Sequence, residues 1–289
     1  MSHWQELNLA AINKRLAPVR RMPPGILFAH RSQYNHIIVR RTTDQVVLCY
    51  RHEHRRLEEV ESRLSLADPL ALVSDYTQAM LLTLAWQPAP SHILLVGLGG
   101  GRLQMVLHHY LEDTSIFTVE IDPVTVEVAR RFFGFAPDAR QHITVKDGRN
   151  YLRGMPAEAP YDVILLDAYH AGGIPLHLCT CEFYAECRVV LTPTGVVATN
   201  LQAATPLYDA ARKTFAASFR HTAALPLLGG NVVVIGSDAD RLHRDEIQKR
   251  VTAVQQRYGC DFALPEWSQA LAIKAPYRPN APILRDADG

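Results

Sequence analysis

Several acidic side chains in this sequence stand where chemistry on a nucleoside could be done. Glu120 closes the apolar run IFTVE at 116–120, Asp122 follows two residues later, Asp147 follows HITVK at 142–146, and Asp167 ends YDVILLD at 161–167. The glycines Gly97, Gly99, Gly100 and Gly101 follow another apolar run, HILLV at 92–96. Missing Cβ atoms let a ligand approach the backbone there, and the start of a following helix favours polar or anionic groups. A carboxylate after the second of these runs can accept hydrogen bonds from both hydroxyls of a ribose. One after the third, with Gly148 beside it, suits an adenine amino group, and Asp167 follows the fourth. Taken singly, each glycine reads equally well as a turn and each acid as a helix cap; at consecutive strand ends they read together as a nucleoside site.

The elements that must position them follow from the pattern. From residue 92 the order strand, glycine loop, helix, strand, helix, strand marks a doubly wound parallel sheet, in which ligands bind beyond the carboxyl ends of the strands. Leu103, Val106, Leu107, Tyr110 and Leu111 form one helical stripe, at the spacing of an amphipathic helix. Asp122 can cap the next helix and Pro123 can open it. GVVATNL at 195–201 and NVVVIGS at 231–237 predict two more strands bracketing a helix over 206–218, and a charged helix over 240–257 closes at Gly259. Ahead of the sheet, β-rich runs at 26–30, 36–41 and 45–50 follow a polar N-terminal segment and predict a small antiparallel unit. The helix starting at Asp75 is apolar almost all round, so it should be buried between that unit and the sheet. The expected fold is α/β, a Rossmann-like doubly wound sheet preceded by a small N-terminal β-unit. Its parts are 1–74, 75–259 and a C-terminal tail over 260–289.

Composition excludes several classes. The 289 residues are 48% hydrophobic and 20% charged, an ordinary globular balance. With 30 Lys and Arg against 29 Asp and Glu, there is no basic excess of the kind a nucleic-acid surface needs. The longest apolar stretch, 223–236, is interrupted by Pro226, two glycines and Asn231, too short and broken for a membrane span. The first residues lack the apolar core of a signal peptide, so a cytoplasmic location is expected. Five cysteines without a CxxC pair read as reduced thiols, and the pairs His52/His54 and His108/His109 lack a third ligand, so no metal is expected. A dinucleotide fingerprint begun at Gly97 would need glycine where Arg102 stands, which weighs against a nicotinamide enzyme.

The succession VGLGGGRL, VEIDP, DGRNYL, YDVILLDAYHAGGIPLHLCTCEFY and GVVATNL, with SQYN at 32–35 and DPLALVSDYTQAM at 68–80, resembles the polyamine aminopropyltransferases, the spermidine synthase family, and especially its bacterial spermidine-synthase-like branch. The likeness runs from about Gly25 to about residue 237. It implies an enzyme that transfers the aminopropyl group of decarboxylated S-adenosylmethionine to a small amine, releases methylthioadenosine, and assembles as a homo-oligomer such as a dimer. By position, Glu120 would hold the ribose hydroxyls and Asp147 the adenine amine, the Gly97–Gly101 loop would support the methionine-derived chain, and Asp167 would be the catalytic acid/base. Segment 168–180 would be a gate and Tyr76 an aromatic wall.

The chain departs from the family pattern at three places. His170 takes the slot of a second gate acid, Gly100 that of an acid in the glycine loop, and Thr77 that of a histidine after the helix tyrosine. Each missing charge-assisted hydrogen bond to a cationic amine costs about 1.5–3 kcal/mol. His170 remains open as a general base, a docking group for the acceptor, or an exposed gate residue. Two other functions stay in view: methyl transfer from S-adenosylmethionine, which glycine at position 100 would allow although Leu95 replaces the usual methyltransferase-loop acid, and a nucleoside-binding scaffold without turnover.

Overall fold

The computed structural model describes residues 2–51, 58–156, 160–170, 173–273 and 277–288. The chain opens with α1 (His3–Arg21), then β1 (Gly25–Arg31), β2 (His36–Arg41), β3 (Gln45–Arg51) and β4 (Glu58–Ser65), which pair in sequence order as an antiparallel sheet. Helix α2 (Asp75–Met80) runs on as a 3₁₀ turn over Leu81–Ala85. Its residues from Ala79 to Ala85 are almost wholly buried, as the all-round apolar pattern predicts.

The second sheet is built from β5 (His92–Val96), α3 (Arg102–Tyr110), β6 (Ser115–Glu120), α4 (Pro123–Phe132), β7 (Gln141–Val145), α5 (Gly148–Arg153), β8 (Tyr161–Leu166), α6 (Cys181–Val189), β9 (Leu191–Gln202), α7 (Tyr208–Ser218), β10 (His221–Pro226) and β11 (Asn231–Ser237). After α8 (Arg244–Tyr258) and α9 (Leu264–Ala270), β12 (Ala272–Ile273) adds the outermost strand. The order is β12-β10-β11-β9-β8-β5-β6-β7, parallel from β9 to β7 and antiparallel at β11, β10 and β12. The strands β5 and β8 are apolar along nearly their whole length because helices cover both faces.

Several elements were not legible. The polar N-terminal segment is a 19-residue helix closed by a Ser2–Gln5 capping box, burying Gln5, Asn8, Ile12, Leu16 and Val19 along one stripe. Its apolar residues are sparse and Pro18 interrupts the last turn, so periodicity alone gave no signal. Strand β4 reads EEVESRLS, a charged sequence held by register against β3. Strand β10 ends at Pro226 and is placed by pairing with β11. The 260–289 segment also holds α9 and β12.

His108 and His109 lie on α3, buried at 4% and 1% exposure, and Asn8 of α1 hydrogen-bonds His109 Nδ1 at 3.2 Å. His52 and His54 lie outside the described residues. Among the described residues no group of three or more His, Cys, Asp or Glu could hold a metal, and the five cysteines are free thiols. Burial pushes both α3 imidazoles down to about 4 from 6.5. The unfolded chain takes up these protons near pH 6.5 and the folded chain only near 4, so stability is lost as pH falls through that window. The His109→Gln variant should show a shallower drop in melting temperature between pH 6.5 and 4 than the native protein, read by thermal melts across that range.

Candidate active site

The chain leaves β5 toward β6 and β7 on one side and places β8 and β9 on the other, so the sheet's switch point lies between the carboxyl ends of β5 and β8. Gly97 ends β5 with φ +102°, and a Cβ there would lie 2.2 Å from the Asp167 carbonyl oxygen. No other residue fits. The Gly97 N–H donates to Val119 O and the Asp167 N–H to Val96 O, each at 2.9 Å. Above this junction opens a cavity of about 810 Å3 whose wall includes Tyr76, Gly97, Gly99, Glu120, Asp147, Gly148, Asp167 and His170.

Glu120 is 8% exposed. Its Oε2 accepts the Leu98 N–H and its Oε1 the Asp122 N–H, both at 2.9 Å, which holds the carboxylate plane in place and leaves lone pairs for a ligand. Burial raises its pKa, and these backbone N–H groups oppose the rise. Asp147 caps α5 through the Asn150 N–H at 2.8 Å, and its Oδ2 lies 2.8 Å from His177 Nε2. A base docked on Asp147 would share that carboxylate with His177. Asp122 is fully buried; one oxygen caps α4 through the Val124 N–H at 2.9 Å, and the other receives the Ser32 hydroxyl from the β1–β2 turn. Its carboxylate ties the two sheets together, and Asp122 is not among the described residues that line the cavity.

The glycine loop divides in the same way. Gly97 and Gly99 reach the cavity, whereas Gly100 and Gly101 are not among its described lining residues. A Cβ on Gly100 would lie 2.6 Å from Phe133 Cδ1, and one on Gly101 2.9 Å from Phe135 Cδ2. Position 100 therefore faces packed core.

Asp167 sits half-buried just past β8. Asn200 on β9 donates from Nδ2 to its Oδ1 at 3.1 Å, and the Tyr76 hydroxyl stands close by. Burial raises the carboxyl pKa above its ordinary value, and Asn200 and Tyr76 pull it back in part. A carboxylate with a raised pKa is a stronger proton acceptor than an ordinary one. His170 is exposed at the rim, pairing through its backbone with Gly173. Thr77 is buried with its hydroxyl on Ser74 O at 2.5 Å. Within segment 168–180, residues 171 and 172 lie outside the described residues; Tyr169 anchors the near side by donating to Asn200 O at 2.5 Å, and Leu176, His177 and Leu178 line the cavity from the far side.

Sequence reasoning missed three contributors. Glu61, from β4, lines the cavity, and burial together with the Asp167 charge pushes its carboxyl up to about 8. Asn200 lies within the buried stretch 195–201 near the carboxyl end of β9. The third is the chain's end: Arg149, with its side chain 6% exposed, is gripped by Glu186 and Asp286 at 2.7 Å and also donates to His177 O at 3.2 Å. Thr180 donates to Asp286 at 2.8 Å, and the Cys181 N–H to Leu284 O at 3.0 Å. Nothing in the sequence around Asp286 signals that contact; it depends on where the tail docks.

A Rossmann-like sheet carries acids at its strand ends around one cavity. The spermine/spermidine synthase domain family matches residues 76–223. A polyamine aminopropyltransferase of Vibrio vulnificus is 30% identical over 217 residues, covering 73% of this chain and 72% of that one. The chain belongs to the spermine/spermidine synthase family, and it is a transferase. A spermidine synthase solved with the transition-state analogue AdoDATO superposes with a TM-score of 0.68 at 21% identity, covering 87% of this chain and 85% of that one. The human methyltransferase-like protein 13 solved with SAH superposes with a TM-score of 0.59 at 27% identity, covering 65% of this chain and 94% of that one. Among the described residues no helix is long and apolar enough to cross a membrane.

The Arg149 cluster makes a stability prediction. Replacing Arg149 by Met removes several charge-assisted hydrogen bonds at once and should lower unfolding stability by about 1.5–3 kcal/mol. The same variant should release the 277–288 segment to carboxypeptidase sooner than the native protein, followed by mass spectrometry of the digest.

Proposed function

We propose that this protein transfers the aminopropyl group of decarboxylated S-adenosylmethionine to the nitrogen of a small amine and releases methylthioadenosine. The observation that carries the reading is Asp167: a half-buried carboxyl with a raised pKa, at the switch point, on the same cavity as the ribose-type acid Glu120. An alkylamine is almost wholly protonated at pH 7 and must lose a proton to attack carbon. Asp167 takes that proton, the nitrogen lone pair forms the new C–N bond, and the C–S electrons stay on sulfur as the sulfonium becomes a neutral thioether.

The remaining residues orient the reactants. Glu120, fixed by two backbone N–H groups, accepts the ribose hydroxyls. Asp147 and His177 meet the adenine edge; a Cβ on the neighbouring Gly148 would lie 2.4 Å from Val96 Cγ1, so that glycine serves the packing of the wall. Gly97 and Gly99 let the sulfur approach the backbone, Tyr76 forms the opposite wall, and His170 stands at the acceptor's entrance. The polar inner rim, with Asn200 and Gln202 on the cavity wall, suits an amine acceptor. Methyl transfer needs the same nucleoside site, and the likeness to the human methyltransferase-like protein 13 keeps that donor in the comparison.

Two substitutions test the assignment. Glu120→Gln should weaken methylthioadenosine binding by about 1.5–3 kcal/mol in calorimetry, the range for a hydrogen bond to a charged group; unchanged affinity removes the ribose role. Asp167→Asn should keep the melting temperature and the methylthioadenosine affinity while lowering turnover by about 10²-fold or more, since an amide cannot accept the proton. A variant that loses stability yet turns over normally assigns Asp167 a structural role instead.

A further inference from the structure

The aminopropyl reading leaves one charge without a partner. The three-carbon arm of a decarboxylated donor ends in an ammonium group, and the glycine loop has no acid to meet it, because position 100 faces Phe133. Strand β4 brings a different one. In the β3–β4 ladder Leu48 opposes Ser62 and Cys49 opposes Val60, so Glu61 is the extra residue of a bulge. Bulges of this kind turn a side chain out of its ladder beside a site, and Val60, Glu61 and Ser62 in succession all reach the cavity wall. The bulge is fixed in place: the Gly100 N–H donates to Ser62 Oγ at 2.9 Å, which ties β4 to the glycine loop.

We propose that Glu61 selects the donor, its carboxylate holding the terminal ammonium of decarboxylated S-adenosylmethionine and repelling the carboxylate that S-adenosylmethionine carries on the same carbon. This rests on the aminopropyl reading above. The nucleoside spans Asp147 and Glu120, and its sulfur faces Asp167. The arm beyond sulfur then extends toward the wall formed by β4 and α2, where Glu61 and Tyr76 stand. Charge supports the assignment. Glu61 lies close enough to Asp167 for that charge, after burial, to oppose its ionisation, and without a cation its carboxyl is pushed up to about 8. An ammonium beside Glu61 relieves it. A second, independent observation points to a ligand with N–H donors: Asn200, 3% exposed and on the same cavity, leaves its Oδ1 without a hydrogen-bond partner among the described residues.

The test is calorimetry on the full chain with methylthioadenosine, S-adenosylmethionine and the decarboxylated donor, for the native protein, Glu61→Gln and Glu61→Asp. Methylthioadenosine has neither ammonium nor carboxylate, so its affinity should be unchanged in both variants, which also shows that each folds. Glu61→Gln should cut the preference for the decarboxylated donor over S-adenosylmethionine by about tenfold or more, the effect of losing a hydrogen bond to a charged group. Glu61→Asp should keep part of that preference. An unchanged ratio in Glu61→Gln with methylthioadenosine binding intact overturns the proposal, as does a loss confined to the KM of the acceptor amine. Failure of the native protein to bind methylthioadenosine overturns the functional reading, and the proposal with it.

Discussion

The close approach of β5 to β8 at their carboxyl ends is the constraint from which the site follows. Gly97 at φ +102° lies against the Asp167 carbonyl, with no space for a side chain between them. That contact sets the sheet's switch point, and it brings the two strand ends near enough for one small molecule to touch both. Glu120, one strand over, is held by backbone N–H groups from the glycine loop and from the start of α4, so its position depends on the same junction. Asn200, one strand over on the other side, holds Asp167. A Cβ at position 97 would force the junction apart and shift each of these carboxylates against the others.

Around this junction the protein gathers acids where water is scarce. Glu61, Glu120 and Asp167 all have raised pKa values, with burial the largest cause in each. Keeping them there lowers stability in the ligand-free state, the usual bargain at sites that must bind cations or move protons. The cost is limited by backbone N–H groups at Glu120 and by Asn200 and Tyr76 at Asp167. Glu61 has less such help, since burial and the charges of Asp167 and Glu59 all raise its pKa. That asymmetry is why it stands out as a group waiting for a positive ligand.

Much of this was legible in the sequence because buried parallel strands carry continuous apolar runs, and the first four runs of the sheet are closed or followed by glycines or acids. The strands from HILLV to NVVVIGS, the cap at Asp122 with Pro123, and the family likeness all rest on such local signals. What the sequence did not reveal depends on tertiary contact. Helix α1 has too few apolar residues to announce itself and is held by its capping box and by packing under α3. Strand β4 is charged, so neither its existence nor the bulge that turns Glu61 inward has a local signature. Gly100 read as a lost acid in the ligand loop, but its missing side chain would point at Phe133, so the loss there is one of packing space. The tail's grip on Arg149 joins residues 137 positions apart in sequence, beyond the reach of any periodicity.

The central claim is that the three-carbon group, and not a methyl group, leaves sulfur. The most direct measurement gives the protein S-adenosylmethionine and its decarboxylated form together with a panel of small amines, and identifies the sulfur product by mass spectrometry. The account predicts methylthioadenosine, formed only with the decarboxylated donor and accompanied by an amine three carbons and one nitrogen larger. S-adenosylhomocysteine with a methylated acceptor, and no methylthioadenosine, would contradict it.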